Sequence, residues 1–123
     1  MKYFHAAEFE CQCKCGRADM EPSFLADLEA LRTAYGKPLI VSSGFRCGSH
    51  NQKVSTTGPN GPHTTGKAVD FAIRGAEAYL LMGLALRMGF SGIGIQQKGA
   101  ARFLHLDKLT NGPGQPRPMV WSY

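Results

Sequence analysis

Gly61-Pro62-His63-Thr64-Thr65-Gly66-Lys67-Ala68-Val69-Asp70-Phe71-Ala72-Ile73 is the stretch that decides the fold, and Phe103-Leu104-His105-Leu106-Asp107 is its counterpart. His63 stands among Gly, Pro and Thr residues, which places it on a loop. Ala68 to Ile73 is apolar except for Asp70 and reads as a short strand. Gly66 lets the chain turn tightly between the two. Phe103 to Asp107 reads as another strand. Side chains at i and i+2 share a strand face, so His105 and Asp107 point one way and Leu104 and Leu106 the other, into a core. A loop histidine, a strand carboxylate and a strand histidine can then converge on one point. Two histidines and a carboxylate can hold one zinc ion and leave its fourth position open. That is the catalytic pattern, whereas structural zinc sites close all four positions, usually with cysteines.

Outward from these stretches, the first 20 residues read as an irregular arm with one short helical turn near Ala6 to Phe9. Pro22 opens a helix, where its missing N–H costs nothing. Phe24, Leu28, Leu31 and Tyr35 then fall on one face, and Gly36 and Pro38 end it. Leu39 to Ser43 reads as a strand leading into a Gly44-Phe45-Arg46 turn. Residues 47–62 read as a long polar loop that joins Arg46 to His63 and rims a cleft. Ala76 to Met88 reads as a helix that is apolar nearly all round and well buried. Gly92 to Gln96 reads as a strand paired in a hairpin with Phe103–Asp107. The tail from Asn111 is rich in Gly and Pro and reads as irregular, tied down by Trp121 and Tyr123. This order of elements is α+β, and 123 residues suffice for one domain spanning 1–123.

The ordered set of motifs resembles the zinc D-alanyl-D-alanine carboxypeptidase-like peptidases, a group related to the hedgehog signalling domain and to lysostaphin-type enzymes. It is most similar to the short forms found among phage and prophage cell-wall hydrolases. The residues carrying the resemblance are Tyr3-Phe4, Glu8-Phe9 and the cysteines that follow, Ser42-Ser43-Gly44-Phe45-Arg46 with Asn51, His63-x-x-Gly66-x-Ala68-x-Asp70, Phe103-x-His105-x-Asp107, and the ending Arg117-Pro118-x-x-Trp121-Ser122-Tyr123. The resemblance implies a small, mainly antiparallel sheet with helices on one side and zinc in a groove on the other. It implies His63, Asp70 and His105 as zinc ligands, and Arg46 in substrate binding. It also implies cleavage of peptide bonds in the stems or cross-links of bacterial peptidoglycan, by a carboxypeptidase or an endopeptidase, in a phage or prophage endolysin.

One departure stands out. Several relatives carry a catalytic carboxylate three residues before the last zinc histidine, where this chain has Arg102. Others carry a histidine two residues before it, where this chain has Phe103. Asp107 is the one other carboxylate beside the proposed ligands. Two roles stand open for it: general base, or a partner that orients an active-site imidazole through its second nitrogen. The expected catalytic residues are Asp107 and Arg46. Arg46 offers a rigid fork for a carboxylate, against the plainer reading of a surface ion pair. Ser43 could donate a hydrogen bond to substrate. His50 either enters the cleft or caps its loop, and His5 reads as structural or solvated. A non-catalytic zinc-binding interaction domain, or a cell-wall-binding module of the same fold, is the alternative function.

The net charge of +5 and isoelectric point near 9.2 favour polyanions. No Lys/Arg run or helix-turn-helix pattern accompanies the charge, so no nucleic-acid partner is expected. No apolar leader segment and no membrane-spanning run is visible. The expectation is therefore a monomer without a membrane partner, made in the cytoplasm and reaching the wall through a separate phage pore protein. Cys11, Cys13, Cys15 and Cys47 lack the two-residue gap usual in zinc knuckles. They read as reduced structural thiols, as one disulfide to Cys47 after release, or as a metal cluster.

Overall fold

Asp70 and His105 lie directly opposite each other in the middle of a five-stranded sheet in the computed structural model, which describes residues 1–123. The strands are β1 (Ile40–Ser43), β2 (Ala68–Ala72), β3 (Gly92–Gln96), β4 (Phe103–Asp107) and β5 (Met119–Ser122), in the spatial order β1-β2-β4-β3-β5. Every pairing is antiparallel except β3 with β5, which is parallel. Three α-helices complete the fold: α1 (Pro22–Tyr35), α2 (Gly48–Val54) and α3 (Gly75–Arg87). The protein is α+β with a mainly antiparallel sheet, as its order of elements implies.

Strand alternation divides the sheet into two chemically distinct faces. Val69, Phe71, Ile93, Leu104 and Leu106 point to one face and form a single buried cluster with Phe24, Leu28 and Leu31 of α1 and Ala78, Leu81 and Ala85 of α3. Phe4 and Phe9 of the amino-terminal arm close one side, with Phe4 stacked on Phe71 at 6.0 Å. Leu28, Leu31 and Leu81 have no exposed surface, so truncating any of them to alanine would cost about 2–5 kcal/mol. The opposite face carries the polar residues Ser43, Asp70, His105 and Asp107.

The α1 prediction agrees with the structure residue for residue at its apolar face, and Gly36 ends the helix in a left-handed conformation with φ 78°. The Tyr35 hydroxyl then ties α1 to Glu77 of α3.

Three expectations are corrected. Residues 47–62 are not a featureless loop: they contain α2 and a short 3₁₀ turn at Gly58–Asn60. This helix has no apolar period to reveal it. It is held instead by buried Asn51, whose amide donates to Thr57 Oγ1 at 2.9 Å and to the Gly58 carbonyl at 2.5 Å. Helix α3 is not buried all round, since Tyr79 is 74% exposed and Leu80 and Leu86 are also exposed. A two-layer fold has one sheet face to offer, and only one stripe of the helix can reach it. The tail is not irregular throughout, because Met119–Ser122 joins the sheet as β5.

Candidate metal centre

The strand register builds the site. Ser43 of β1 pairs with Asp70 of β2, Asp70 with His105 of β4, His105 with Gly94 of β3, and Gly94 with Trp121 of β5. One row of residues therefore crosses all five strands. Its only member without a side chain is Gly94, and a Cβ there would lie 2.6 Å from the Trp121 indole nitrogen. The indole fills that space and brings its ring to 5.1 Å from the His105 ring.

His63 enters from the other side, on the 3₁₀ turn Pro62–Thr65, which ends at Gly66 with a left-handed φ of 76°. Its Nδ1 donates to the Gly44 carbonyl at 2.8 Å, and this fixes Nε2 as the nitrogen that faces Asp70 Oδ1, at 3.2 Å. His105 is held in the opposite sense. Its Nε2 donates to Asp107 Oδ2 at 2.7 Å, which leaves Nδ1 facing Asp70 Oδ1 at 3.0 Å. All three side chains are buried, and their ligand atoms lie within 4.8 Å of one another.

The donor set fits zinc. Each imidazole spends its outer nitrogen on a protein acceptor and turns the inner one toward a shared carboxylate oxygen, as metal-binding histidines do. Burial on its own would raise the Asp70 carboxyl. The charge of His63 and the hydrogen bonds from His105 and His63 outweigh burial and hold it far below the usual carboxylate range. Burial would lower His105, but hydrogen bonds to Asp107 and Asp70 raise it.

Asp107 sits behind His105 rather than in front of it. It has no exposed surface. Besides His105, it accepts Arg117 Nε at 3.0 Å and Nη2 at 2.8 Å, and the Leu109 backbone N–H at 3.2 Å. Burial would raise this carboxyl, yet the His105 and Arg117 hydrogen bonds lower it to about 2. Its carboxylate lies over Gly92, where any Cβ would collide with it. Of the two roles open to Asp107, this is the geometry of the orienting one. Asp107 does not line the groove, whereas a general base acts from a face toward substrate.

The three inward atoms open onto a groove of about 1060 Å³. Its walls include Ser43, Arg46, Phe103, Arg117, Trp121 and Tyr123. The polar segment 54–62 forms one rim, as expected for residues between Arg46 and His63. Arg46 is braced from two sides, with Nε donating to Ser43 Oγ and Nη1 to Asn51 Oδ1, both at 3.2 Å. Its Nη2 stands 3.7 Å from Asp70 Oδ2. Ser43 thus serves Arg46 first, and the residue is largely buried. His50 and His5 do not line the groove.

Three residues of the tail complete the site, and the residue pattern assigns a role in it to none of them. Arg117, which locks Asp107, lies outside any recognisable periodicity and arrives through the Gly/Pro-rich tail. For Trp121 the residue pattern leaves groove lining open beside core packing or tail anchoring, and the structure places it in the groove beside His105, with the Arg117 guanidinium 5.0 Å above its ring. Tyr123 also lines the groove. Burial and the charge of Asp70 raise its phenol, against an opposing hydrogen bond from Trp121.

Two imidazoles and one carboxylate on the floor of an open groove form a candidate mononuclear metal site, with the donor set of hydrolytic centres. Comparison with known families agrees: residues 2–107 match the family described as Peptidase M15. The chain belongs to that family, whose members are zinc-dependent metallopeptidases. The matched residues contain all three candidate ligands and Asp107, while Arg117, Trp121 and Tyr123 come from beyond them. No curated protein matches the chain.

Proposed function

We propose that this metallopeptidase hydrolyses peptide bonds in the stem peptides or cross-links of bacterial peptidoglycan, as a D-Ala-D-Ala carboxypeptidase or an endopeptidase of the endolysin type. The observation that carries the reading is Arg46, a braced cation with its guanidinium on the rim of the metal triad. A peptide with a free carboxylate near the scissile bond, as a peptidoglycan stem has, would meet Arg46 as its carbonyl reached the triad.

His63 Nε2, Asp70 and His105 Nδ1 would hold the zinc. When bound, zinc supplies Lewis acidity to a water nucleophile and to the scissile carbonyl. Asp107 and Arg117 keep the His105 ring in one tautomer and one orientation. Trp121 walls the ring off from solvent on the β5 side. Arg46 binds the substrate carboxylate and stabilises negative charge that develops beside it. Tyr123 presents a phenol that stays protonated at neutral pH, so it can donate a hydrogen bond to a leaving group or an oxyanion. The enzyme would act as a monomer on the wall, with neither nucleic acid nor a membrane as partner, after release through a separate pore protein. No helix is long and apolar enough to cross a membrane.

A second reading rests on one feature of the groove. Asp70 is its only carboxylate, and His63 and His105 are its only histidines, so it contains no free general base. A non-catalytic zinc-binding interaction domain, or a wall-binding module, would have such a groove. Mass spectrometry of purified peptidoglycan digested with zinc-loaded protein, beside a chelated sample, separates the readings. Chelator-sensitive release of D-alanine establishes a carboxypeptidase, and cut stems or cross-links an endopeptidase. Binding to the wall without any new product favours the second reading.

A further inference from the structure

Outside the groove, the chain holds another convergent set of metal-binding atoms. Along a strand Cys11, Cys13 and Cys15 would share one face but stand about 7 Å apart from one to the next. Here the arm instead folds into a tight turn. Lys14 takes a left-handed φ of 67° and Gly16 one of 83°. The Lys14 N–H donates to the Cys11 carbonyl at 3.2 Å, and the Cys11 N–H to the Arg17 carbonyl at 2.8 Å. The turn aims three thiols at one point, and Cys47 comes from the opposite side, directly after Arg46.

The sulfur geometry is that of a coordination shell. Sγ–Sγ distances are 3.4 Å for Cys11–Cys13, 3.5 Å for Cys13–Cys47 and 3.8 Å for Cys11–Cys47, and all four sulfurs lie within 4.8 Å of one another. Tetrahedral zinc with Zn–S bonds of about 2.3 Å places its sulfurs roughly 3.8 Å apart. All four cysteines are free thiols. The Cys47 N–H donates to Cys11 Sγ at 3.4 Å, the kind of contact that stabilises a thiolate. Cys11 and Cys47 are buried with Phe45 in a small cluster separate from the main core, while Cys13 and Cys15 are exposed and leave an entry path for an ion.

We infer that Cys11, Cys13, Cys15 and Cys47 form a second, structural metal site, a closed tetrathiolate that takes zinc. Thiolates select soft and borderline cations, and four of them leave no position open for water, so this site performs no hydrolysis. Its role is mechanical. The arm touches the Arg46 turn through few other bonds, among them the Phe45 N–H to the Phe9 carbonyl at 2.9 Å and Gln12 Nε2 to the Ser42 carbonyl at 2.7 Å. A metal bound to Cys47 fastens the residue next to Arg46 to the arm. The inference does not depend on the catalytic reading.

The test uses zinc stoichiometry by mass spectrometry on protein purified under reducing conditions, for wild type, His63→Ala and the double variant Cys13→Ser/Cys15→Ser. The last pair is exposed, so its replacement leaves both cores intact. Two zinc ions per chain are expected for wild type and one for each variant. X-ray absorption at the zinc edge of His63→Ala should show sulfur ligands alone, at about 2.3 Å. A single zinc in wild type that survives Cys13→Ser/Cys15→Ser would overturn the inference. So would a sulfur-free zinc shell in His63→Ala. Failure of the peptidase reading would leave the zinc and sulfur shell of His63→Ala unchanged.

Discussion

Replacing Asp107 by Asn separates the two roles open to this residue, because the change preserves shape while removing charge. Asp107 accepts hydrogen bonds from His105, from two Arg117 nitrogens and from the Leu109 backbone N–H, and it has no exposed surface. Asn offers one acceptor oxygen in place of two and turns an N–H₂ group toward donors. The Arg117 side chain is 6% exposed and would keep its charge without a counter-ion. Removing one partner of a buried pair costs about 3–5 kcal/mol.

The acid titration of Asp107 gives an independent scale. Its carboxyl is lowered from an ordinary 3.8 to about 2. At 1.36 kcal/mol per unit, the charged form contributes about 2 kcal/mol in the metal-free chain. Since the folded value is depressed, that contribution is complete above pH 3.8 and is lost as pH falls toward 2. Asp107→Asn should therefore lower unfolding stability by about 3 kcal/mol at neutral pH in urea titrations. Zinc affinity, measured against a competing chelator, should fall about 10–100-fold because His105 loses its tether. Unchanged zinc affinity with turnover lost would refute this reasoning and restore Asp107 as the base.

Three further predictions follow from the same geometry. Gly94→Ala places a methyl against the Trp121 indole, so it should cost about 1–3 kcal/mol by thermal unfolding and shift the tryptophan emission; an unchanged spectrum and midpoint would mean the indole does not occupy that space. Zinc affinity should drop by about tenfold per pH unit once His105 protonates, beginning above the ordinary histidine value of 6.5 because this imidazole is raised. Competition titrations from pH 8 to pH 5 check it, and a flat profile would exclude proton competition at this ring. Arg46→Lys keeps the charge but loses the fork that Ser43 and Asn51 brace; steady-state kinetics on a stem peptide should show a KM increase of about tenfold or more, whereas an unchanged KM would remove Arg46 from substrate binding.

The triad was legible because its signals are local. His63-x-x-Gly66 marks a turn, and Asp70 and His105 interrupt apolar strands whose alternation fixes the facing direction. The pairing of β2 with β4 then brings Asp70 and His105 together without any further information. Alternation also put Asp107 on the His105 face, but it could not say what lay beyond. That depended on Arg117, which returns from ten residues later through a Gly/Pro-rich segment. Strand β5 was hidden for the same reason: it is four residues long, follows Pro118 and pairs in parallel with β3, a contact no local pattern encodes. Helix α2 lacked an apolar period because its buried residue is Asn51, which acts through hydrogen bonds. Gly92 and Gly94 are a further clue to the tail beside its aromatics, since glycines inside a strand mark a close approach by another group. The cysteines defeated spacing rules because their convergence needs a left-handed Lys14.

Catalysis at the triad is the central claim, and the most direct measurement counts newly exposed amino groups in purified peptidoglycan treated with zinc-reconstituted wild type or with Asp70→Ala. The account predicts amines accumulating with wild type and a background rate with Asp70→Ala, while circular dichroism shows both proteins folded. Equal release by the two proteins, or none by wild type carrying zinc at His63, Asp70 and His105, would contradict it.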